Sequence, residues 1–301
     1  MKGFRRRNVL KETKEKQDQA KNAIEIRNLS KHYDDFALQI DALDIPQGCI
    51  MGLVGSNGAG KSTMIKAILD LIRTDSGEIT IGGESNQNQR VREEIGVVFD
   101  EIKFPPLFTA KDVRIVLKGV YRNWDDALYA HYTGLFKLPD NKKIKEFSRG
   151  MKMKLSLAAA LAHHPKLLIL DEATSGIDPV VRDEILDIFL EFIQDEEHTI
   201  LASSHIISDI EKAADYVTFI NNGRVVFCEE KDVLLEKYRL VKCGHEELSA
   251  VTPADIIGKR TNTFGAELLM PADKVPDGFV TAKAGIEDIM LMIIKNEGAA
   301  Q

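Results

Sequence analysis

Cysteine is scarce: 301 residues hold three, Cys49, Cys228 and Cys243, odd in number and far apart. That excludes a disulfide framework and a closely spaced thiolate metal site, and it fits a reducing compartment. Long apolar runs are missing as well. The longest, around Ser156–Ala162 and Ile289–Ile294, fall far short of the roughly 18 residues of a membrane span, so the chain is not expected to cross a membrane. Excess positive charge is absent too: 40 Lys and Arg stand against 47 Asp and Glu, for a net charge of −7. Such a balance lacks the basic footprint that duplex nucleic acid demands, and no nucleic acid partner is expected. Arg5, Arg6 and Arg7 precede Asn8-Val-Leu-Lys-Glu where a secretory signal would turn apolar, so none is read there. What is present, 44% apolar and 29% charged residues, describes a soluble globular protein with material for a real core. A cytoplasmic chain is expected.

Residues 1–22 stand apart. Eight basic residues against three acidic ones give this stretch a local excess of 8 − 3 = +5, leaving −12 for the rest. A solvated basic arm is expected, with attraction to an anionic membrane surface as its functional reading.

From Ala23 the texture becomes that of folded α/β structure. Ala23–Leu29 and Phe36–Ile45 alternate apolar and polar residues as strands do. Cys49–Val54, Ile95–Phe99, Leu167–Leu170 and Thr199–Ser203 are continuous apolar runs, the mark of buried parallel strands. Ser62–Leu71, Met153–Ala162 and Val181–Ile193 carry helical periodicity. Strands alternating with helices imply a mainly parallel sheet. Beyond Cys228 the pattern loosens: Tyr238–Cys243, Glu267–Met270 and Phe279–Thr281 read as short strands and Ile286–Ile294 as a closing helix. Residues 229–301 are therefore expected to form a small C-terminal α+β region.

The sharpest local signal is Gly55-Ser56-Asn57-Gly58-Ala59-Gly60-Lys61-Ser62, followed by Thr63, a full G-x-x-x-x-G-K-[ST] phosphate loop between a strand and a helix. Its glycines free backbone N–H groups to surround phosphate oxygens, and the helix that follows aims its positive end at the same anion. Lys61 supplies a point charge to the terminal phosphates, and Ser62 a hydroxyl to Mg²⁺. Leu167–Leu170 then ends in Asp171 and Glu172, which places two carboxylates at the carboxyl edge of the sheet. Asp171 suits the metal's water shell, and Glu172 suits polarisation of an attacking water.

With these residues in place, the chain from about Ala23 to Cys228 resembles the ATP-binding subunit of an ABC (ATP-binding cassette) transporter. The form of its signature is similar to that of bacterial exporters of antimicrobial peptides, drugs or lipids. The resemblance implies a P-loop NTPase ABC ATPase fold with a mainly parallel sheet, an antiparallel β subdomain and a helical subdomain over about 101–162. It assigns Tyr33 to adenine stacking. Phe147-Ser148-Arg149-Gly150-Met151 is similar to the family signature L-S-G-G-Q, with Ser148 and Gly150 facing the ATP of the opposite subunit. Arg149 there replaces a glycine. Asp178 in Ser175-Gly-Ile-Asp resembles the loop that crosses the dimer interface, and His205 the switch histidine at the γ-phosphate. Asp100 stands where the family carries a glutamine at the metal, with Glu101 beside it.

The resemblance further implies ATP and Mg²⁺ as cofactors. It implies integral membrane permease subunits as partners, together with a second ATP-binding subunit, identical or different. It also implies a peripheral place on the inner face of the cell membrane. The alternative is a soluble ATPase of the same type, or a nucleotide-sensing module, uncoupled from transport. A single phosphate loop argues against a tandem-cassette translation ATPase. The 86 positions from Ser62 to Ser148 leave no room for the long heptad insertion of a chromosome or repair ATPase. Finally, Phe104-Pro-Pro-Leu-Phe108 is read as an apolar surface loop that anchors the permease through Phe104 or Phe108.

Overall fold

The computed structural model describes residues 21–299 apart from residue 264. The basic arm expected over 1–22 thus lies outside the described residues, except for its last two. Alternation shapes the first layer. In β1 (Asn22–Tyr33) and β2 (Phe36–Pro46), Ile24, Ile26, Leu38, Ile40 and Ile45 point inward and are buried, while their neighbours face water. These strands form an antiparallel hairpin, and β4 (Ser76–Ile81) and β5 (Glu84–Ser85) complete a sheet of order β2-β1-β4-β5.

The second layer is built from the continuous apolar runs. β3 (Ile50–Val54), β6 (Ile95–Phe99), β7 (Leu167–Asp171), β8 (Thr199–Ser204) and β9 (Tyr216–Asn221) are parallel; β10 (Arg224–Glu230) closes one edge antiparallel to β9. The order β10-β9-β3-β8-β7-β6 puts β3 and β7 either side of β8, so their carboxyl ends meet in space. Both faces of these strands are covered, which explains why no polar alternation interrupts them. Met51, Leu53, Ile169 and Leu201 face the hairpin layer and α1 (Lys61–Ile68), where Met64, Ile65 and Ile68 are buried. Ile50, Val54, Leu168, Leu170 and Ile200 face the other way, toward the helices. Each such side chain contributes about 1.5–3 kcal/mol by leaving water.

Helix α1 stops at Ile68, three residues before the expected end, because Asp70 adopts a left-handed φ of +51° and leaves Leu71 in solvent. The helical region holds α3 (Ala110–Val120), α4 (Asp126–Leu135) and α5 (Arg149–Leu161), with the short α2 (Gln89–Arg92) preceding β6. Local chemistry fixes the starts of α3 and α5. Thr109 and Asp112 cap α3 reciprocally, and Ser148 Oγ accepts the Met151 N–H of α5 at 3.2 Å. The α6 helix (Pro179–Phe192) opens on Asp178, which accepts the Val180 N–H, with proline in the first turn.

His163 is sealed beneath this layer, stacked on Tyr121 at 3.9 Å with Nε2 3.1 Å from the Ile95 carbonyl. Burial holds its pKa below the usual histidine range. The unfolded chain then binds the proton more readily, so this contribution to stability is complete above about pH 6.5 and is lost as pH falls toward the folded value. We expect the melting midpoint of the wild type to drop more steeply between pH 7 and 5 than that of His163→Phe, which keeps the ring stack and cannot protonate. Parallel pH profiles would contradict this. Burial also pushes the Cys49 thiol up to about 12, which leaves it inert as a nucleophile.

The expected boundary after residue 228 falls inside β10, which pairs with β9 through Glu230. Beyond it, α8 (Lys231–Lys237) leads to an antiparallel sheet of β11 (Tyr238–Cys243), β12 (Gly258–Asn262), β13 (Gly265–Pro271) and β14 (Val280–Lys283), in the order β12-β13-β11-β14. The closing α9 (Ile286–Ala299) buries Ile286, Ile289 and Met292 in the core shared with the parallel sheet. It is fastened to α7 (Ile207–Ala213): Glu211 Oε1 accepts the Ile286 N–H at 3.0 Å.

Candidate active site

The loop 55–60 leaves the buried end of β3 and turns into α1. Gly60, at the turn, has φ +114°, and a Cβ there would lie 3.0 Å from the Phe36 ring. Only glycine meets both conditions without strain. Lys61 follows, 5% exposed, and its amine donates to the Gly55 and Ser56 carbonyls at 2.8 and 3.3 Å. The loop thus wraps a buried cation, the arrangement a polyphosphate needs.

Two serines and two carboxylates gather across from it. Asp171 ends β7 and is nearly sealed; its Oδ1 accepts from Ser62 Oγ at 3.1 Å and from Ser203 Oγ at 2.8 Å. Ser203 Oγ in turn accepts the Glu172 N–H at 3.0 Å. That bond helps hold Glu172 at a left-handed φ of +53°, a backbone state that costs a non-glycine residue about 1–3 kcal/mol and is retained where neighbours over-determine it. The strained turn aims the Glu172 carboxylate back toward the loop. Its Oε1 lies 3.4 Å from Lys61 Nζ, and its Oε2 pairs with His205 Nδ1. His205 follows β8 and is half exposed, whereas the Glu172 side chain is largely buried. A carboxylate between a lysine and an imidazole, open on one side to a cavity, is equipped to accept a proton from water.

That cavity measures about 680 Å³. Of the residues expected from sequence, Asn57, Gly58, Gly60, Lys61, Ser62, Thr63, Asp100, Glu172 and His205 line it. Asp171 sits behind Ser62 as its hydrogen-bond partner. Tyr33 lies outside the lining, exposed at the end of β1, with its ring centroid 6.4 Å from that of Phe36. Ser148, Gly150 and Asp178 also lie outside, and Ser148 and Asp178 serve this chain as helix caps. Sequence reasoning missed Asp35 and Phe36 of the hairpin turn, the hydroxyl of Ser203, and the placement of Arg149 and Ser175 on the wall of the same cavity. The Tyr33-Asp34-Asp35-Phe36 turn that joins β1 to β2 was the available signal for the first two.

Among the described residues no cluster of three or more His, Cys, Asp or Glu is placed to hold a metal. The hydroxyl of Ser62 beside the carboxylate of Asp171 nevertheless fits Mg²⁺, which takes one or two protein oxygens and completes its shell with water and phosphate oxygens. A larger groove of about 880 Å³, lined by Tyr132, His164, Glu191 and His198 among others, lies at the amino ends of β7 and β8. That is the opposite edge of the sheet from the carboxylates. No helix among the described residues is long and apolar enough to cross a membrane.

Comparisons with known proteins agree with this geometry. The family described as ABC transporter matches residues 38–175. The lantibiotic transport ATP-binding protein SrtF of Streptococcus pyogenes is 37% identical over 69% of this chain and 91% of its own length. The ABC transporter ATP-binding protein YtrB of Bacillus subtilis is 33% identical over 71% of this chain and 74% of its own. Among solved structures, cbiO1 from Clostridium perfringens, part of the transporter complex cbiONQ, superimposes with a TM-score of 0.61 at 25% identity. That match covers 72% of this chain and 92% of cbiO1.

Proposed function

The chain belongs to the ABC transporter family as an ATP-binding, ATP-hydrolysing subunit, and from that premise we propose how its residues divide the work. The observation that carries the proposal is the Glu172 carboxylate, set between Lys61 and His205 at the edge of a cavity framed by the phosphate loop. Loop 55–60 and Lys61 bind the triphosphate, and Tyr33 packs on the adenine. Ser62 and Asp171 hold Mg²⁺, with Asp100 as a further oxygen ligand; bound there, the ion supplies positive charge against the phosphates. Glu172 takes the proton of the attacking water, and His205 orients Glu172 and contacts the terminal phosphate.

Ser148, Gly150 and Asp178 fall to a second role. They lie at the amino ends of α5 and α6, where backbone N–H groups offer an anion site that this chain's own phosphate loop does not use. In the proposed working state a second ATP-binding subunit, here a second copy, presents its nucleotide to them. Closure of the pair drives separate membrane permease subunits from the inner face of the cell membrane. Similarity to a lantibiotic transport subunit supports export as the direction.

The apolar loop 104–108 is the proposed permease contact, and Leu107 joins Phe104 and Phe108 as a candidate anchor. Phe104 and Phe108 are half-buried against the core, whereas Leu107 is 64% exposed between them. We expect Leu107→Ser to cut transport by about tenfold in reconstituted vesicles. Melting temperature and the ATPase rate of the isolated subunit should be unchanged. Undiminished transport would remove this loop from the coupling surface.

A further inference from the structure

A closed circuit of contacts runs behind the pair formed by Glu172 and His205. On one branch, the Glu172 carbonyl accepts the Ser175 N–H at 3.1 Å, and the chain passes through Gly176 and Ile177 to the start of α6. On the other, the chain leaves His205 for α7, where the Asp209 N–H closes a turn on the Ile206 carbonyl at 3.2 Å. Arg182 of α6 joins the two branches. Its Nη2 donates to the Ile177 carbonyl at 3.3 Å, and its Nη1 lies 3.7 Å from Asp209 Oδ1. The circuit then returns to its origin through His205 Nδ1 and Glu172 Oε2.

The Arg182–Asp209 pair is largely buried, its side chains 23% and 8% exposed. Arg182 Nε and Asp209 Oδ2 are closed off from solvent and have no hydrogen-bond partner among the described residues. Two buried charges with polar atoms left over are a poor source of stability, and an apolar pair of similar volume commonly serves as well. An arginine does what an apolar side chain does not: its rigid planar fork fixes two elements at once. Lys212 and Asp183 join the same two helices at the surface, where both are more than half exposed and constrain little. His205 depends on such support. Its ring is half exposed, and Glu172 is its one hydrogen-bond or ion partner among the described residues.

We propose that Arg182 and Asp209 are positioning residues: their pair holds α7 against the turn 172–177 and so keeps the His205 imidazole on the Glu172 carboxylate. This rests on the roles given to Glu172 and His205 above. Neither Arg182 nor Asp209 lines the cavity, so the pair acts on the chemical step and leaves nucleotide binding alone. A small misplacement of a reacting group is costly in rate, which is how a contact behind the site controls turnover.

The test is steady-state ATPase kinetics on the full chain, well below the melting temperature of every variant. Arg182→Met leaves Asp209 buried alone, so it should lower the melting temperature as well as kcat. The double variant Arg182→Met/Asp209→Leu removes both charges and separates the two effects. It should melt as the wild type does, yet keep a kcat about tenfold down with KM for ATP changed by less than about twofold. Recovery of kcat together with the melting temperature overturns the proposal, since the pair then matters through stability alone. In a His205→Ala background the same double substitution should change kcat by less than about twofold, because the pair acts through His205. An undiminished effect there overturns the proposal too. Asp183→Asn, which breaks the surface pair, should leave kcat at wild type, and a fall equal to that of the double variant would deny Arg182 its particular role. If His205→Ala itself turns over as the wild type does, the role of His205 in the ATPase reading falls, and the proposal with it.

Discussion

Replacing Lys61 with alanine is expected to abolish ATP turnover, with a fall of at least about 10²–10³-fold and a matching loss of ATP affinity. Its amine is the one buried cation that the phosphate loop wraps, donating to Gly55 and Ser56 carbonyls and standing 3.4 Å from Glu172. A charge fixed in a site largely closed to water acts on phosphate far more strongly than one in bulk solvent, and deletion of one such group typically costs this much. The same substitution frees Glu172 from a partner, so its carboxylate is also left less well placed. Phosphate release by a purified, cooperatively melting variant checks the expectation. Near wild-type turnover would remove the loop from the reaction.

Glu172→Gln separates binding from chemistry. Glutamine keeps the length of the side chain and can still bond His205, but it cannot take a proton from water. Turnover should fall by about 10²–10⁴-fold, the usual worth of a positioned general base, while ATP affinity stays near wild type. With the chemical step blocked, the nucleotide-bound pair should accumulate. Light scattering in Mg-ATP should find a dimer that the wild type does not build up. A variant that hydrolyses normally, or stays monomeric in ATP, contradicts the role given to Glu172.

Much of this architecture can be read in the chain because burial on both faces writes strands as unbroken apolar runs. Ile50–Val54 and Leu167–Asp171 are of this kind, and each delivers its chemistry at its carboxyl end. β4 escaped notice because it opens on Ser76-Gly77-Glu78, where exposed polar residues hide the alternation of Ile79 and Ile81. β12 is Gly-Lys-Arg-Thr-Asn and contains no apolar side chain at all. It is held by its pairing with β13 and by Gly258, whose missing Cβ lets Met292 of α9 approach. Tertiary contact makes that strand, and local pattern carries no trace of it.

The site divides in the same way. Loop 55–60, Lys61, Ser62, Asp171 and Glu172 are contiguous motifs, so spacing alone names them. His205 could be named from its resemblance to the family's switch histidine, just beyond the apolar strand β8. Ser203 and Arg149 could not be placed from sequence, since their contacts depend on side-chain direction. The first turns its hydroxyl to Asp171, and the second lays its guanidinium over a glycine 27 residues further along the chain. Leu107 exposed between two half-buried phenylalanines is a third case: the loop was legible, but which of its apolar side chains faces water was not.

In the proposed working state ATP is hydrolysed at a site completed by two chains, with Lys61 and Glu172 from one and Ser148 from the other. Mixing two inactive variants tests it directly. Glu172→Gln lacks the base and Ser148→Arg blocks the start of α5, so each homodimer has two defective sites. A mixed dimer has one site in which both parts are intact. Equimolar mixing of the two is expected to raise ATPase activity above that of either variant, toward a ceiling of about one quarter of wild type for random pairing, since trapped Glu172→Gln homodimers withdraw part of one partner. Activity no greater than the mean of the separate variants would contradict it.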